Sequence, residues 1–123
     1  MRCLIVDDSS VIRKVTRRIL ERMKAEVDEA ENGQEALEKI SQQMPDAIIV
    51  DWHMPVMSGL DFLTNLRQSG ATAQRKPFII YTTTDNDPVD ISRALAAGAD
   101  DYVLKPYTSE AIEAKFYEAG IAN

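Results

Sequence analysis

A doubly wound α/β domain, with a five-stranded parallel sheet covered by helices on both faces, is the fold this sequence predicts, and three observations carry that expectation. Short apolar runs (CLIV, AIIV, FIIY) alternate with stretches of helical periodicity. The most central-looking runs are apolar without alternation, as expected where both faces of a parallel sheet are buried. Gly, Pro and Asn punctuate the changeovers.

Taken in order, CLIV (3–6) is the first strand, and Val11, Ile12, Val15, Ile19 and Met23 follow at helical spacing. AEVDEA (25–30) reads as a mostly polar second strand, leading through Asn32-Gly33 into a helix whose apolar face is Ala36, Leu37 and Ile40. Pro45 separates that helix from AIIV (47–50). A loop containing Pro55 and Gly59 then opens the helix LDFLTNLRQ, with Leu60, Leu63 and Leu66 facing inward. Pro77 precedes FIIY (78–81), and Asp87-Pro88 matches an N-cap followed by proline in the first turn of a helix ending at Gly98. DYVL (101–104) and a helix over roughly 109–119 complete the pattern. Right-handed crossovers and the polar second strand suggest the sheet order 2-1-3-4-5.

Composition narrows the function. A chain of 123 residues, 45% of them hydrophobic, fits one compact domain with one core. The formal net charge of −6 argues against a nucleic-acid partner, since phosphate backbones are bound by basic stripes. Cations suit it better. The lone cysteine, Cys3, cannot form an intramolecular disulfide and reads as a small strand residue in a reducing compartment. With no apolar run long enough for a signal peptide or a membrane span, a cytoplasmic protein is expected, with no membrane partner.

The polar residues fall where the chemistry should be. Asp7 and Asp8 follow the first strand, Asp51 follows the third, Thr82 to Thr84 follow the fourth, and Lys105 ends the fifth. The carboxyl ends of parallel strands share one edge, so these groups converge on one crevice. Adjacent carboxylates repel one another, and a divalent cation relieves that repulsion. Hard oxygen ligands select Mg²⁺, which keeps waters and needs few protein donors. A carboxylate beside such an ion can attack phosphorus, while an ammonium and a hydroxyl meet the charge of the transferring group.

LIVDDS, IIVDWHMPVMSGLDFL and AAGADDYVLKPY, in that order and spacing, resemble the receiver domain of bacterial two-component response regulators over nearly the whole chain. The likeness is greatest to the stand-alone, CheY-like group, whose chemotaxis members are resembled at IIYTTTDND. The resemblance implies Asp51 as phosphoacceptor and Lys105 as the lysine on the phosphoryl group. It implies Mg²⁺, with Mn²⁺ able to substitute, held by Asp8, Asp51 and the backbone carbonyl of His53, with Asp7 acting through water. Counting back from Lys105 selects Thr83 as the switch threonine, whereas counting forward from Pro77 selects Thr82; Thr83 is preferred because the stretch between it and Lys105 is ungapped. Tyr102 matches the switch aromatic. His53 and Thr84 occupy modulating positions, and Trp52, beside the phosphoacceptor, is placed to report metal binding.

A single receiver domain over 1–123 without an output domain is therefore expected. It is a signalling phosphoacceptor rather than an enzyme on other substrates, and is expected to be a monomer. Its phosphodonor would be a histidine kinase or phosphotransfer protein, and its reader another protein bound at the face of helix four, strand five and helix five. Chemotaxis or motility is the leading pathway, with stress or cell-cycle signalling as the alternative. Blander readings stand beside each residue: helix capping for Asp7-Asp8-Ser9-Ser10, an ordinary turn lysine for Lys105, a packed strand residue for Tyr102. The basic stretch Arg13, Lys14, Arg17 and Arg18 reads as a solvated helix face. Rival functions are a small-molecule phosphatase using an aspartyl phosphate, a phosphorylation-independent adaptor, and a flavin carrier of similar topology. The last lacks a Ser/Thr/Gly-rich phosphate loop after strand one.

Overall fold

The computed structural model describes residues 1–70 and 76–121. Among these, the strands are β1 (Arg2–Val6), β2 (Glu26–Ala30), β3 (Ala47–Asp51), β4 (Phe78–Thr83) and β5 (Asp101–Leu104). The helices are α1 (Ser10–Arg22), α2 (Gly33–Gln42), α3 (Gly59–Gln68), α4 (Pro88–Ala97) and α5 (Ser109–Glu118). All four strand pairings are parallel, in the order β2-β1-β3-β4-β5.

Side chains alternate across the sheet and divide the core in two. On one face Leu4, Val6, Ile48, Val50, Ile79 and Tyr81 meet Ala36 and Ile40 of α2, Phe62, Leu63 and Leu66 of α3, and Ala94 of α4. On the other, Cys3, Ile5, Ile49, Ile80 and Val103 meet Ile19 and Leu20 of α1 and Ile112 and Phe116 of α5. The fully buried β3 is central, whereas β2 alternates at the edge, which accounts for its polar sequence. Cys3 lies wholly buried in β1, and burial pushes its thiol up to about 11.

Local chemistry sets the helix starts. Ser9, Asn32, Ser58 and Thr108 each accept a backbone N–H from three residues on, and Asp87 accepts that of Val89 ahead of Pro88. Gly98, at φ +119, ends α4 in the left-handed region that glycine occupies without penalty.

Three sequence expectations change. Val11 and Val15 are 68% and 45% exposed, so the buried stripe of α1 runs through Thr16, Ile19 and Leu20 instead. In α3, Phe62 is wholly buried beside Leu63 and Leu66, whereas Leu60 is only partly so. Asp51 is the last residue of β3 rather than a residue beyond the sheet, with Thr82 as its register partner.

Candidate functional site: an acidic crevice at the strand ends

Because the strands are parallel, the residues closing β1, β3, β4 and β5 lie on one edge of the sheet. Asp7 leaves β1 with its amide still bonded to the Ala30 carbonyl at 3.1 Å. Its Oδ1 accepts the Ser9 amide at 2.9 Å. Capping of α1 falls to Ser9, whose hydroxyl accepts from Ile12, and neither acid of the pair serves as the cap. Asp7 is buried and Asp8 exposed, so the pair offers one carboxylate in the crevice and one at its mouth.

Asp51 is 6% exposed. One carboxylate oxygen each from Asp7, Asp8 and Asp51 lie within 4.8 Å of one another. Lys105 reaches in from the end of β5, with Nζ 2.9 Å from Asp7 Oδ2 and 3.3 Å from Asp51 Oδ1. Burial, joined by the charge of Asp7, pushes the Asp51 carboxyl above the usual range, although Lys105 and the His53 amide pull the other way. Burial would lower the Lys105 ammonium, but its bond to Asp7 and the charge of Asp51 leave it raised. The lysine thus remains protonated between two buried acids.

The two candidate threonines point to opposite faces. Asp51 continues the Ala47 and Ile49 side of β3, and its partner Thr82 continues the Ile80 side of β4, which is the same face. Val103 pairs with Thr82 in register, and Lys105 lies two residues beyond it. Thr83 continues the Ile79 and Tyr81 face, and its hydroxyl accepts the Asp85 amide at 3.1 Å. Thr83, preferred from counting, is the last residue of β4, one beyond the partner of Asp51, and its carbonyl accepts the Lys105 amide at 2.8 Å, which ties it to the lysine of the crevice. Thr84 is exposed beyond the strand.

Trp52 and Tyr102 lie on the opposite face from Asp51, joined through Tyr81. Trp52 packs on Tyr81 at 5.0 Å between ring centroids, and Tyr81 stacks on the half-buried Tyr102 at 5.7 Å. Tyr81 is fully buried, and burial pushes its hydroxyl up to about 12. His53 is exposed, and its amide faces Asp51 Oδ1 at 3.3 Å. In the loop that follows, Val56 is 87% exposed at φ +70, between Pro55 and Met57, which are bonded carbonyl to amide at 2.7 Å. Gly59 packs so close to Trp52 that an added Cβ would lie 2.9 Å from its Cα and from the Asp51 carbonyl.

Three clustered carboxylates, two of them buried, with a single lysine between them form a hard, oxygen-rich donor set. That set fits a divalent cation of the Mg²⁺ type rather than a thiolate- or imidazole-bound metal. The response regulator receiver domain model matches residues 3–117. The chain belongs to the response regulator receiver family. It is 38% identical over 117 residues to the chemotaxis protein CheY1 of Helicobacter pylori, covering 94% of this chain and 93% of that protein. Among solved structures it resembles the chemotaxis protein CheY4 of Vibrio cholerae, with a TM-score of 0.88 and 32% identity over 95% of this chain and 96% of that one. It also resembles a chain from a co-crystal of the Saccharomyces cerevisiae histidine phosphotransfer signalling protein Ypd1 with the receiver domain of its response regulator Ssk1. The TM-score there is 0.88, with 27% identity over 96% of this chain and 87% of that chain. This is a CheY-like two-component signalling domain, and no helix among its described residues is long and apolar enough to cross a membrane.

One neighbour of the acidic crevice departs from its sequence expectation. Arg13, read as part of a solvated basic face, is 15% exposed along its side chain. Its Nη1 donates to the Asp7 carbonyl at 2.6 Å, and its Nε to Glu29 Oε1 at 3.0 Å. Arg17 also meets Glu29, at 2.6 Å, while Lys14 and Arg18 are exposed. The spacing of Arg13 and Arg17, one helical turn apart and opposite a carboxylate of the neighbouring strand, was the available signal.

Proposed function

We propose that this receiver domain takes a phosphoryl group from a phosphohistidine donor onto Asp51 and passes the signal by binding another protein. The observation that supports it most is the placement of Asp51: a buried carboxylate 3.3 Å from Lys105, within a cluster able to hold a divalent ion. Asp8, Asp51 and the His53 carbonyl would hold Mg²⁺, with Asp7 acting through water and Mn²⁺ able to replace it. When bound, the ion supplies charge neutralisation and orientation for the phosphoryl oxygens.

An Asp51 carboxylate oxygen forms a bond to phosphorus as the phosphorus–nitrogen bond to the donor imidazole breaks, and the imidazole recovers a proton from solvent. Lys105 and the Thr83 hydroxyl meet the charge on the transferring oxygens. In the return step water attacks phosphorus, releasing inorganic phosphate and restoring the carboxylate. His53 and Thr84 flank the path of that water, and so modulate how long the acyl phosphate lasts.

Phosphorylation adds about −1.5 to −2 of charge and strong acceptor oxygens. Thr83 and Lys105 then move toward the new group, and the ring of Tyr102 follows, shifting the population between two packings. The reader binds at α4, β5 and α5, where Leu95 and Leu104 are 46% and 41% exposed. Likeness to CheY1 and CheY4 supports chemotaxis or motility as the pathway, and the Ypd1 co-crystal supports a histidine-bearing phosphotransfer partner.

The test is incubation with Mg²⁺ and acetyl phosphate, read by intact mass and by Trp52 emission, with Asp51→Asn alongside. Addition of one phosphoryl group to the native chain and none to the variant is expected. Modification of both to the same extent would refute Asp51 as acceptor.

A further inference from the structure

The proposed metal site draws on two acids joined by one peptide bond, and that peptide is held from behind. The Asp7 carbonyl accepts a hydrogen bond from α1, where Arg13 Nη1 donates to it at 2.6 Å. Arg13 is anchored at both ends, by its own helix and by Glu29 of β2 at 3.0 Å. Only the planar guanidinium fork reaches both acceptors at once. On the crevice side, Lys105 and the Ser9 amide take the two carboxylate oxygens of Asp7. The Asp7–Asp8 peptide is therefore clamped on both sides, and its orientation determines where the next residue, Asp8, presents its carboxylate.

We infer that Arg13 is a positioning residue for the acidic site: by gripping the Asp7 carbonyl it sets Asp8 at the crevice mouth in the geometry a divalent ion needs. The inference rests on the reading of Asp7, Asp8 and Asp51 as a Mg²⁺ site. Partners that orient metal ligands from outside commonly change affinity by ten- to a hundredfold when removed. Arg13 would do so through a backbone carbonyl, so that the helix which follows the acids also aligns them.

Charge and position predict opposite signs. Removing a cation near a metal site should tighten Mg²⁺ binding if only its charge matters, because one repulsion is lost. Losing the grip on the Asp7 carbonyl should weaken it. Arg17 provides the control, since it shares Glu29 with Arg13 and its bonds run to Glu29 and Glu21.

Trp52 emission during titration with Mg²⁺ alone would be compared for the native chain, Arg13→Gln, Arg13→Lys and Arg17→Gln, with melting in EDTA recorded for each. The expected result is on the order of tenfold weaker Mg²⁺ binding for both Arg13 variants, and a change of less than about twofold for Arg17→Gln, since it is remote from the acids. Arg13→Lys keeps the charge and is the gentler change should Arg13→Gln fold poorly. Unchanged or tighter binding in the Arg13 variants would overturn the inference. So would full affinity in Arg13→Lys, or equal weakening in Arg17→Gln. A native chain with no response to Mg²⁺, by emission or by melting, would instead overturn the metal site itself, and the positioning role with it.

Discussion

Neutralising Asp51, the proposed phosphoacceptor, should make the metal-free protein more stable while abolishing its modification by acetyl phosphate. Asp51 sits in opposing fields. At an effective dielectric constant of about 20, like charges at the cluster's outer separation of 4.8 Å repel by roughly 3.5 kcal/mol per pair. Lys105, at 3.3 Å, attracts by about 5 kcal/mol on the same scale. Asp7, buried, counts in full; Asp8, exposed, is screened to about half. The two repulsions then roughly equal the one attraction, and the desolvation of a side chain 7% exposed decides the sign. Asp51→Asn should therefore stabilise the metal-free fold by about 1 kcal/mol, or roughly 3–6 °C in a domain of this size. Because the folded Asp51 pKa lies above its unfolded value, its ionisation costs stability at neutral pH. That cost fades as pH falls through the raised folded pKa, and the advantage of the variant should fade with it. Mg²⁺ reverses the ranking, since an ion at 100 times its dissociation constant adds about 2.7 kcal/mol to the native chain. Thermal melts of both proteins in EDTA and in Mg²⁺, at neutral and acidic pH, check all three statements. A variant less stable than the native chain in EDTA would refute the balance, showing that Lys105 outweighs burial and repulsion together.

Other outcomes follow from the same geometry. Lys105→Met leaves Asp7 and Asp51 buried without their cation and should cost about 3 kcal/mol in EDTA, part of it recovered in Mg²⁺, as urea denaturation would measure. Thr83→Ala should slow modification by acetyl phosphate by roughly a hundredfold and cost about 1 kcal/mol through the lost Asp85 bond, whereas Thr82→Ala should slow it far less. The reverse ranking, by timed intact mass, would transfer the switch role to Thr82. Val56→Asn relieves a β-branched residue held at φ +70 with its side chain in solvent, and should raise stability by about 1 kcal/mol by denaturant titration.

What could be read from the sequence, and what could not, divides along a physical line. Strand identity and order were legible because burial on both faces writes itself locally, as continuous apolar runs in β1, β3 and β4. The acids were legible for a related reason: Asp7 and Asp51 each interrupt such a run at its carboxyl end, and parallel pairing carries such ends to one edge. The facing of neighbouring side chains depends on pairing between distant segments. Thr82 and Thr83 are chemically identical, and only the pairing of Asp51 with Thr82 separates them, since a one-residue slip in register would exchange their faces. Rotation of α1 about its axis is likewise a tertiary property. Five apolar residues at helical spacing were compatible with a stripe through Val11 and Val15, yet packing selected the one through Thr16, Ile19 and Leu20.

That choice of helix face has a chemical consequence at the strand edge. With Thr16, Ile19 and Leu20 turned inward, the turn of α1 nearest the acids directs Arg13 toward β2, where Glu29 waits at the strand edge. The Thr16 hydroxyl, one turn further, donates to the Ile12 carbonyl and lies 2.5 Å from the Tyr107 hydroxyl, two residues past Lys105. A single helix orientation thus braces both the loop carrying Asp7 and Asp8 and the loop carrying Lys105. Shifts of α1 should therefore alter acid and lysine together. Thr16→Val, which keeps the side chain's shape and removes both hydroxyl contacts, should then loosen Lys105 and weaken Mg²⁺ binding in step. Unaltered Mg²⁺ affinity in Thr16→Val by Trp52 titration would show that the two loops are braced independently.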